Sequence, residues 1–302
     1  MKKLTCKLLI VILSLIVIDV AVGFAHRWML TTTIPDASLM QTNLHNALFK
    51  KEGDVIFFGP STTMHNFVCS MIKEQTGLSA YNCGFDGRDV LYSKACLEYM
   101  MERQIPKMVV LDVTSNYLDG SWHYKIPETF CYYGISQPMT QVIDTLTNGH
   151  LNARMKLCSN LYRNNCVVQW WLRAMLSKDI ASDGYIPLPY KDNHLVYDSR
   201  IHDEPFKMHP SNRNALIHIV SLCQSHGVKL LLVNSPKLFQ TNPSFKRIIK
   251  DFCQQEKVIF ADFDDDKDFI NNPDYFQDEI HMNEKGAGVL TQEIIDQYLK
   301  NL

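Results

Sequence analysis

The chain has 302 residues, of which 46% are hydrophobic, 21% charged and 11% aromatic, and its formal net charge is -2. This composition belongs to a globular protein and excludes a disordered, collagen-like or coiled-coil chain. The near-neutral balance, with a pI of about 6.6, lacks the basic footprint of nucleic-acid binding. Nine cysteines, with no CxxC pair and no zinc-type Cys/His spacing, argue against a disulfide framework and a structural metal. No cofactor is expected.

Residues 1–7 carry three lysines, and residues 8–25 then read LLIVILSLIVIDVAVGFA. At roughly 1.5 Å per residue this run nearly crosses a ~30 Å hydrocarbon layer, and Trp28 to Leu30 can extend it. The lysines before the segment place the N-terminus in the cytoplasm and export the rest. Residues 1–30 are therefore an uncleaved membrane anchor or a cleaved signal segment, with Gly23 and Ala25 as the small residues before the cut. The expected location is single-pass in the inner membrane, with the C-terminal domain facing the periplasm or exterior. The alternative is secretion after cleavage. Asp19 is the misfit, since a carboxylate at mid-span costs about 2.5 to 3.5 kcal/mol on insertion scales.

Four short apolar runs read as buried strands: Val55–Phe58, Met108–Leu111, Lys229–Val233 and Val258–Phe260, with a weaker one at Ser79–Asn82. Helix-length segments lie between them at about 62–76, 87–103, 212–226 and 243–256, and a last one at 285–300. Ser211 is a plausible N-cap, while Gly77 and Gly227 sit where C-caps belong. Strands alternating with helices predict an α/β fold with a parallel sheet covered on both faces. Ligands bind outside the carboxyl ends of such strands. Those ends are Gly59-Pro60-Ser61, Asn82-Cys83-Gly84, Asp112 to Asn116, Asn234-Ser235 and Asp262. Residues 118–208 break the alternation and read as a mainly helical insertion over the same edge of the sheet.

Ser61 follows a strand and opens a helix, which sets its hydroxyl at the carboxyl edge beside free helical N–H groups that favour negative charge. Alone, this pattern is more often a helix cap. Near the C-terminus, however, Asp278 and His281 stand three apart in a loop before the last helix. A serine hydroxyl needs a general base, imidazole supplies one, and a carboxylate fixes its tautomer. The expected catalytic set is Ser61, Asp278 and His281, with the Ser61 N–H in the oxyanion hole.

These residues resemble the motifs of the SGNH/GDSL hydrolase superfamily. Gly59-Pro60-Ser61 stands where that family has Gly-Asp-Ser, and Asp278-x-x-His281 matches its C-terminal block. The resemblance covers roughly residues 50–117 and 211–300. It implies a three-layer α/β/α sandwich over residues 50–302, with Gly84, in Asn82-Cys83-Gly84, and Asn116 as further oxyanion-hole donors. Its third block, Gly-x-Asn-Asp, is replaced here by Asp112-Val-Thr-Ser-Asn116. More narrowly, the chain is similar to membrane-anchored bacterial SGNH proteins that handle acyl groups on cell-envelope polymers. The implied function is an extracytoplasmic serine esterase or O-acyltransferase acting on acetyl or other acyl esters of a glycan. The alternative is a non-catalytic envelope protein that binds glycan or partners a membrane acyltransferase.

His65, one helical turn after Ser61, either lines the pocket mouth or packs the helix. Arg88 either binds an anionic substrate group or forms a structural ion pair. The aspartates at 262, 264, 266 and 268 mimic a calcium loop but lack its glycine and terminal glutamate, so they read as a solvated acidic turn. Trp122, Trp170 and Trp171 are core residues or platforms for sugar rings.

Overall fold

The computed structural model describes residues 2–32, 40–49, 52–165, 167–176, 183–192, 194–200, 205–300 and 302. The side chains of Trp170 and Trp171 lie outside the described set. In chain order the elements are α1 (Lys2–Thr32), α2 (Met40–Phe49), β1 (Val55–Phe58), α3 (Ser61–Asn66), α4 (Cys69–Thr76), β2 (Ala80–Asn82), α5 (Val90–Met101) and β3 (Met108–Asp112). Next come α6 (Ser115–Leu118), a 3-10 stretch (His123–Tyr132), α7 (Gln137–Thr147), α8 (Leu151–Cys158), α9 (Asn160–Arg163) and α10 (Val167–Leu176). The chain closes with α11 (Pro210–Ser225), β4 (Lys229–Asn234), α12 (Pro243–Glu256), β5 (Ile259–Asp262), α13 (Lys267–Ile270) and α14 (Glu284–Ile294).

The five strands form one parallel sheet in the order β2-β1-β3-β4-β5. β1 and β3 are buried along their whole length, as strands covered on both faces must be. Alternate side chains enter two separate cores. Ile56, Phe58, Val109, Leu111, Leu230 and Leu232 join the side chains of α5, α11 and α12. Val55, Phe57, Val110, Leu231 and Val233 join those of α4 and α14. The result is the three-layer α/β/α arrangement.

The sequence reading and the structure differ where side chains overrule local pattern. The helix expected over 62–76 is broken into α3 and α4, with Phe67 and Val68 extended between them. Phe67 leaves the helix to stack on Phe57, with ring centroids 4.9 Å apart, and the Val68 N–H donates to Thr291 Oγ1 at 2.9 Å. Ser211 is not the cap of α11. His209 holds that position and accepts the Ser211 N–H, while Pro210 opens the helix, where a missing N–H costs nothing. Gly77 caps α4 in a left-handed conformation, and Gly227 follows the cap of α11 with positive φ. The strand expected at 258–260 lies at Ile259–Asp262.

The insertion divides into two parts. Its helices pack away from the sheet edge, α7 against α5 and α9 against α1. Among its described residues the tail has no helix or strand, and it crosses the carboxyl edge: Asp183 O accepts the Asn82 N–H at 2.8 Å, and Asp198 pairs with Phe239. Among the described residues of the insertion, this tail and Trp122 match the expected placement over that edge.

The turn leaving β1 depends on Gly59, whose φ is +150°. A Cβ there would overlap Thr63 Oγ1 and lie 2.7 Å from Asp112 O. Gly59→Ala is therefore expected to lower the unfolding free energy by about 1–3 kcal/mol through backbone strain, read by urea denaturation of the full chain in detergent.

Candidate active site

The parallel strands deliver β1, β3 and β4 to one edge, and the residues following them build a cleft of about 140 Å³. Ser61 is the first residue of α3, directly after the turn from β1. It does not cap that helix, because Pro60 holds the cap position with no side-chain bond. Instead Ser61 Oγ lies 2.8 Å from His281 Nε2. His281 Nδ1 lies 2.9 Å from Asp278 Oδ2 and 3.1 Å from Oδ1. The three side chains thus stand in series, in the order hydroxyl, imidazole, carboxylate. Nδ1 carries the proton facing the carboxylate, which leaves the Nε2 lone pair for the hydroxyl.

Local structure holds each member. The loop before α14 is closed by an antiparallel bridge between Phe276 and Met282, with Gln277 N–H donating to His281 O at 2.8 Å. Asp278 Oδ1 also accepts the backbone N–H groups of Ile280 and His281, both at 2.8 Å. Burial opposes ionisation of Asp278, but the bonds from the His281 ring and these two N–H groups outweigh it and hold its pKa at about 2. Asn66, at the end of α3, accepts the Met282 N–H at 3.1 Å. That bond ties the imidazole loop to the helix bearing Ser61. Asn283 caps α14 and donates to Asp274 O at 2.7 Å, which fixes the other end of the loop.

A second network lies beneath Ser61. Asp112, fully buried at the end of β3, accepts Thr62 Oγ1 at 2.5 Å, Ser235 Oγ at 2.9 Å and the Ser235 N–H at 3.2 Å. Burial pushes the Asp112 carboxyl up, against the pull of Thr62, Lys237 and Ser235. Lys237 is itself buried, lines the cleft, and donates to Asn234 Oδ1 at 2.7 Å and Ser235 O at 3.1 Å. The sequence reading named Asp112 and Ser235 only as strand-end residues and missed Lys237. The available signal was a lysine three residues past the end of a buried strand.

Of the other expected residues, Asn116 lines the same cleft as Ser61 and His281. Gly84 does not: its N–H donates to Asn82 Oδ1 at 2.9 Å and is therefore taken. Glycine is required there for packing, since a Cβ would press on the Met64 backbone, 2.8 Å from its Cα. His65 also lies outside the cleft lining. Its Nδ1 donates to Ile186 O at 2.7 Å, and its ring meets that of His281 edge-on at 5.4 Å. Burial lowers its pKa and keeps it neutral at pH 7. Arg88 is buried with its guanidinium 4.7 Å from the Phe85 ring centroid, away from the cleft. Trp122 is half-buried and forms part of the cleft wall.

The acidic run after β5 is occupied by lysines. Lys246 pairs with Asp262 and Asp264, each at 3.3 Å, and with Asp265. Asp264 also accepts Thr241 Oγ1 at 2.7 Å. These bonds brace the turn that carries Thr241 and Asn242 to the cleft.

No family model matches the sequence, and no curated protein matches it. Among solved structures, the chain is similar to a Bacteroides fragilis protein inferred to be an acylhydrolase, at 14% identity and a TM-score of 0.40, over 81% of this chain and 87% of that one. It is also similar to a point mutant of an acetyl-xylooligosaccharide esterase from Geobacillus Stearmophilus, at 11% identity and 0.41, over 80% and 92%. A third is a gut microbial diltiazem-metabolizing enzyme, at 11% identity and 0.39, over 83% of this chain and 47% of that one.

Proposed function

We propose that the chain is a membrane-anchored serine esterase or O-acyltransferase of the SGNH/GDSL type, working outside the cytoplasm on acyl esters of a cell-envelope glycan. The observation that carries this reading is the series from Ser61 Oγ through His281 to Asp278 at hydrogen-bond distances, opening into one cleft. The glycan and the location rest on the motif resemblance and on α1, whose span Lys3–Thr31 contains an unburied 18-residue window with a mean hydropathy of 2.9.

In this reading His281 Nε2 takes the Ser61 proton as Oγ attacks the ester carbonyl. The Asp278 carboxylate holds the imidazole in its productive tautomer and steadies its positive charge. The oxyanion of the tetrahedral intermediate is met by the Ser61 N–H, one of the unpaired donors of the first turn of α3, and by the Asn116 amide. His281 then returns the proton to the leaving alkoxide, and the acyl group stays on Ser61 Oγ. Water or a sugar hydroxyl, deprotonated by the same imidazole, releases it. Gly84 has no part here because its N–H is already bonded. The rival, a non-catalytic partner of a membrane acyltransferase, gives no reason for the three side chains to converge.

Three outcomes follow for hydrolysis of a chromogenic acetyl ester by the full chain in detergent. Ser61→Ala lowers kcat by at least about 10³-fold, and retained activity would overturn the reading. Asn116→Ala lowers kcat by about 10²–10³-fold with little change in KM, whereas a change in KM alone would make Asn116 a binding residue. Because Asp278 keeps its charge down to about pH 2, protonation of this carboxylate adds nothing to the acid limb of kcat/KM well above that pH, and a two-proton slope there would contradict it.

A further inference from the structure

We propose that the cavity between α1 and α9 binds the phosphate of a phospholipid headgroup in the outer leaflet. The proposal rests on the reading of α1 as a membrane span, and α1 itself sets the depth. Twenty residues separate Lys7 from Arg27, which at 1.5 Å each is about 30 Å, the thickness of the hydrocarbon layer. With Lys7 at the inner surface, Arg27 and His26 stand at the outer headgroup level. Asp19, eight residues earlier, lies about 12 Å deeper, in the hydrocarbon.

An unpartnered carboxylate at that depth is costly, and this one is fully engaged. Asp19 accepts Ser159 Oγ at 2.7 Å and the Asn160 N–H, Asn160 Nδ2 and Leu161 N–H, each at 3.0 Å. These bonds pin α9 against α1 and close one side of a cavity of about 230 Å³. Its lining includes His26, Arg27, Tyr133, Asn160, Arg163 and Asn164. Two guanidinium groups against one carboxylate leave a surplus of one positive charge, matching a phosphodiester.

The polar lining is incompletely satisfied. His26 is 4% exposed and Asn164 5% exposed; His26 Nε2, Arg163 Nε and Asn164 Oδ1 have no hydrogen-bond partner among the described residues. Arg163 spends Nη2 on Asn160 Oδ1 at 2.5 Å and Nη1 on Leu157 O at 3.4 Å, and among the described residues Arg27 Nη1 donates to Gly134 O at 3.4 Å. A phosphate supplies acceptors for the His26 and arginine donors, in the charge-assisted geometry that guanidinium groups favour. Asn164 Oδ1 takes a headgroup hydroxyl or ammonium.

The surroundings fit acyl chains. Leu151 (74% exposed), Met155 (60%), Leu161 (45%), Leu172 (49%), Met175 (56%) and Leu176 (80%) lie open on α8–α10. They flank the turn that Asp19 holds in the outer half of the layer. Exposed apolar side chains beside Lys156 and Arg173 suit a membrane interface.

The test uses the full chain in detergent with phosphatidylglycerol, and native mass spectrometry reads the lipid retained. Arg27→Gln/Arg163→Gln is compared with a charge-matched control on α12, Arg247→Gln/Lys250→Gln, with circular dichroism verifying that both are folded. The expected result is a single lipid retained by the wild type and the control, and a loss of about tenfold or more in the cavity variant. Inorganic phosphate at millimolar concentration should leave the lipid in place. Displacement by inorganic phosphate would make this a free-phosphate site, and equal retention by all three proteins would overturn the proposal. Liposome flotation of the wild type separates the two readings. A chain that floats but retains lipid without selectivity keeps its span and loses the site, whereas one that does not float loses both.

Discussion

A carboxylate buried at the end of β3 governs how the cleft can be built. Asp112 has no solvent, so each acceptor site must be met by protein donors, and those donors come from both neighbouring strands. Thr62 reaches it from the first turn after β1, and Ser235 from the first turn after β4. The parallel pairing of β1 and β4 on either side of β3 makes this possible, since it brings both carboxyl ends to the same edge. The register of three strands and the position of the α3 N-terminus are therefore coupled through one group. Ser61 is adjacent to Thr62, so holding Thr62 also holds the hydroxyl that faces His281.

The imidazole arrives from the far end of the chain and needs its own tie. Asn66 supplies it, accepting the Met282 N–H one turn of α3 beyond Ser61. Both partners of the short Ser61–His281 contact are thus referenced to the same six-residue helix. The break after α3 follows from this arrangement. Continuing the helix would carry Phe67 away from Phe57 and leave the Val68 N–H without Thr291 Oγ1, the bond that joins this segment to α14.

Legibility in the sequence tracked how local each determinant is. The strands were readable because burial on both faces demands uninterrupted apolar runs, as in Val55–Phe58. Ser61, Asp278 and His281 were readable because a strand-end serine and an Asp-x-x-His pair each have a chemical reason for their spacing. Gly84 shows the limit. Its glycine is required by contact with Met64, and its N–H by Asn82. A tight approach of backbones and an oxyanion donor demand the same residue, so sequence alone does not separate them. Lys237 was invisible for another reason: its partners, Asn234, Ser235 and Asp264, identify it only once the turn after β4 is folded against the acidic run. Asp19 looked like a defect of the apolar run because its donors lie 140 residues away.

The insertion joins the cleft to α1. Trp122 stands in the cleft wall, while Cys131 and Tyr133 line the cavity beside Arg27. Between them runs the ten-residue 3-10 stretch His123–Tyr132, about 20 Å long at 2.0 Å per residue. On the reading of α1 as a span, Ser61 works within a few tens of ångströms of the outer headgroups. A tether of this kind would raise the effective concentration of the cleft toward any ester held at the same surface. The Asp19 bonds to α9 and the burial of Leu30 in the core both join α1 to the domain. If α1 spans a membrane, these contacts set the height and facing of the domain above it.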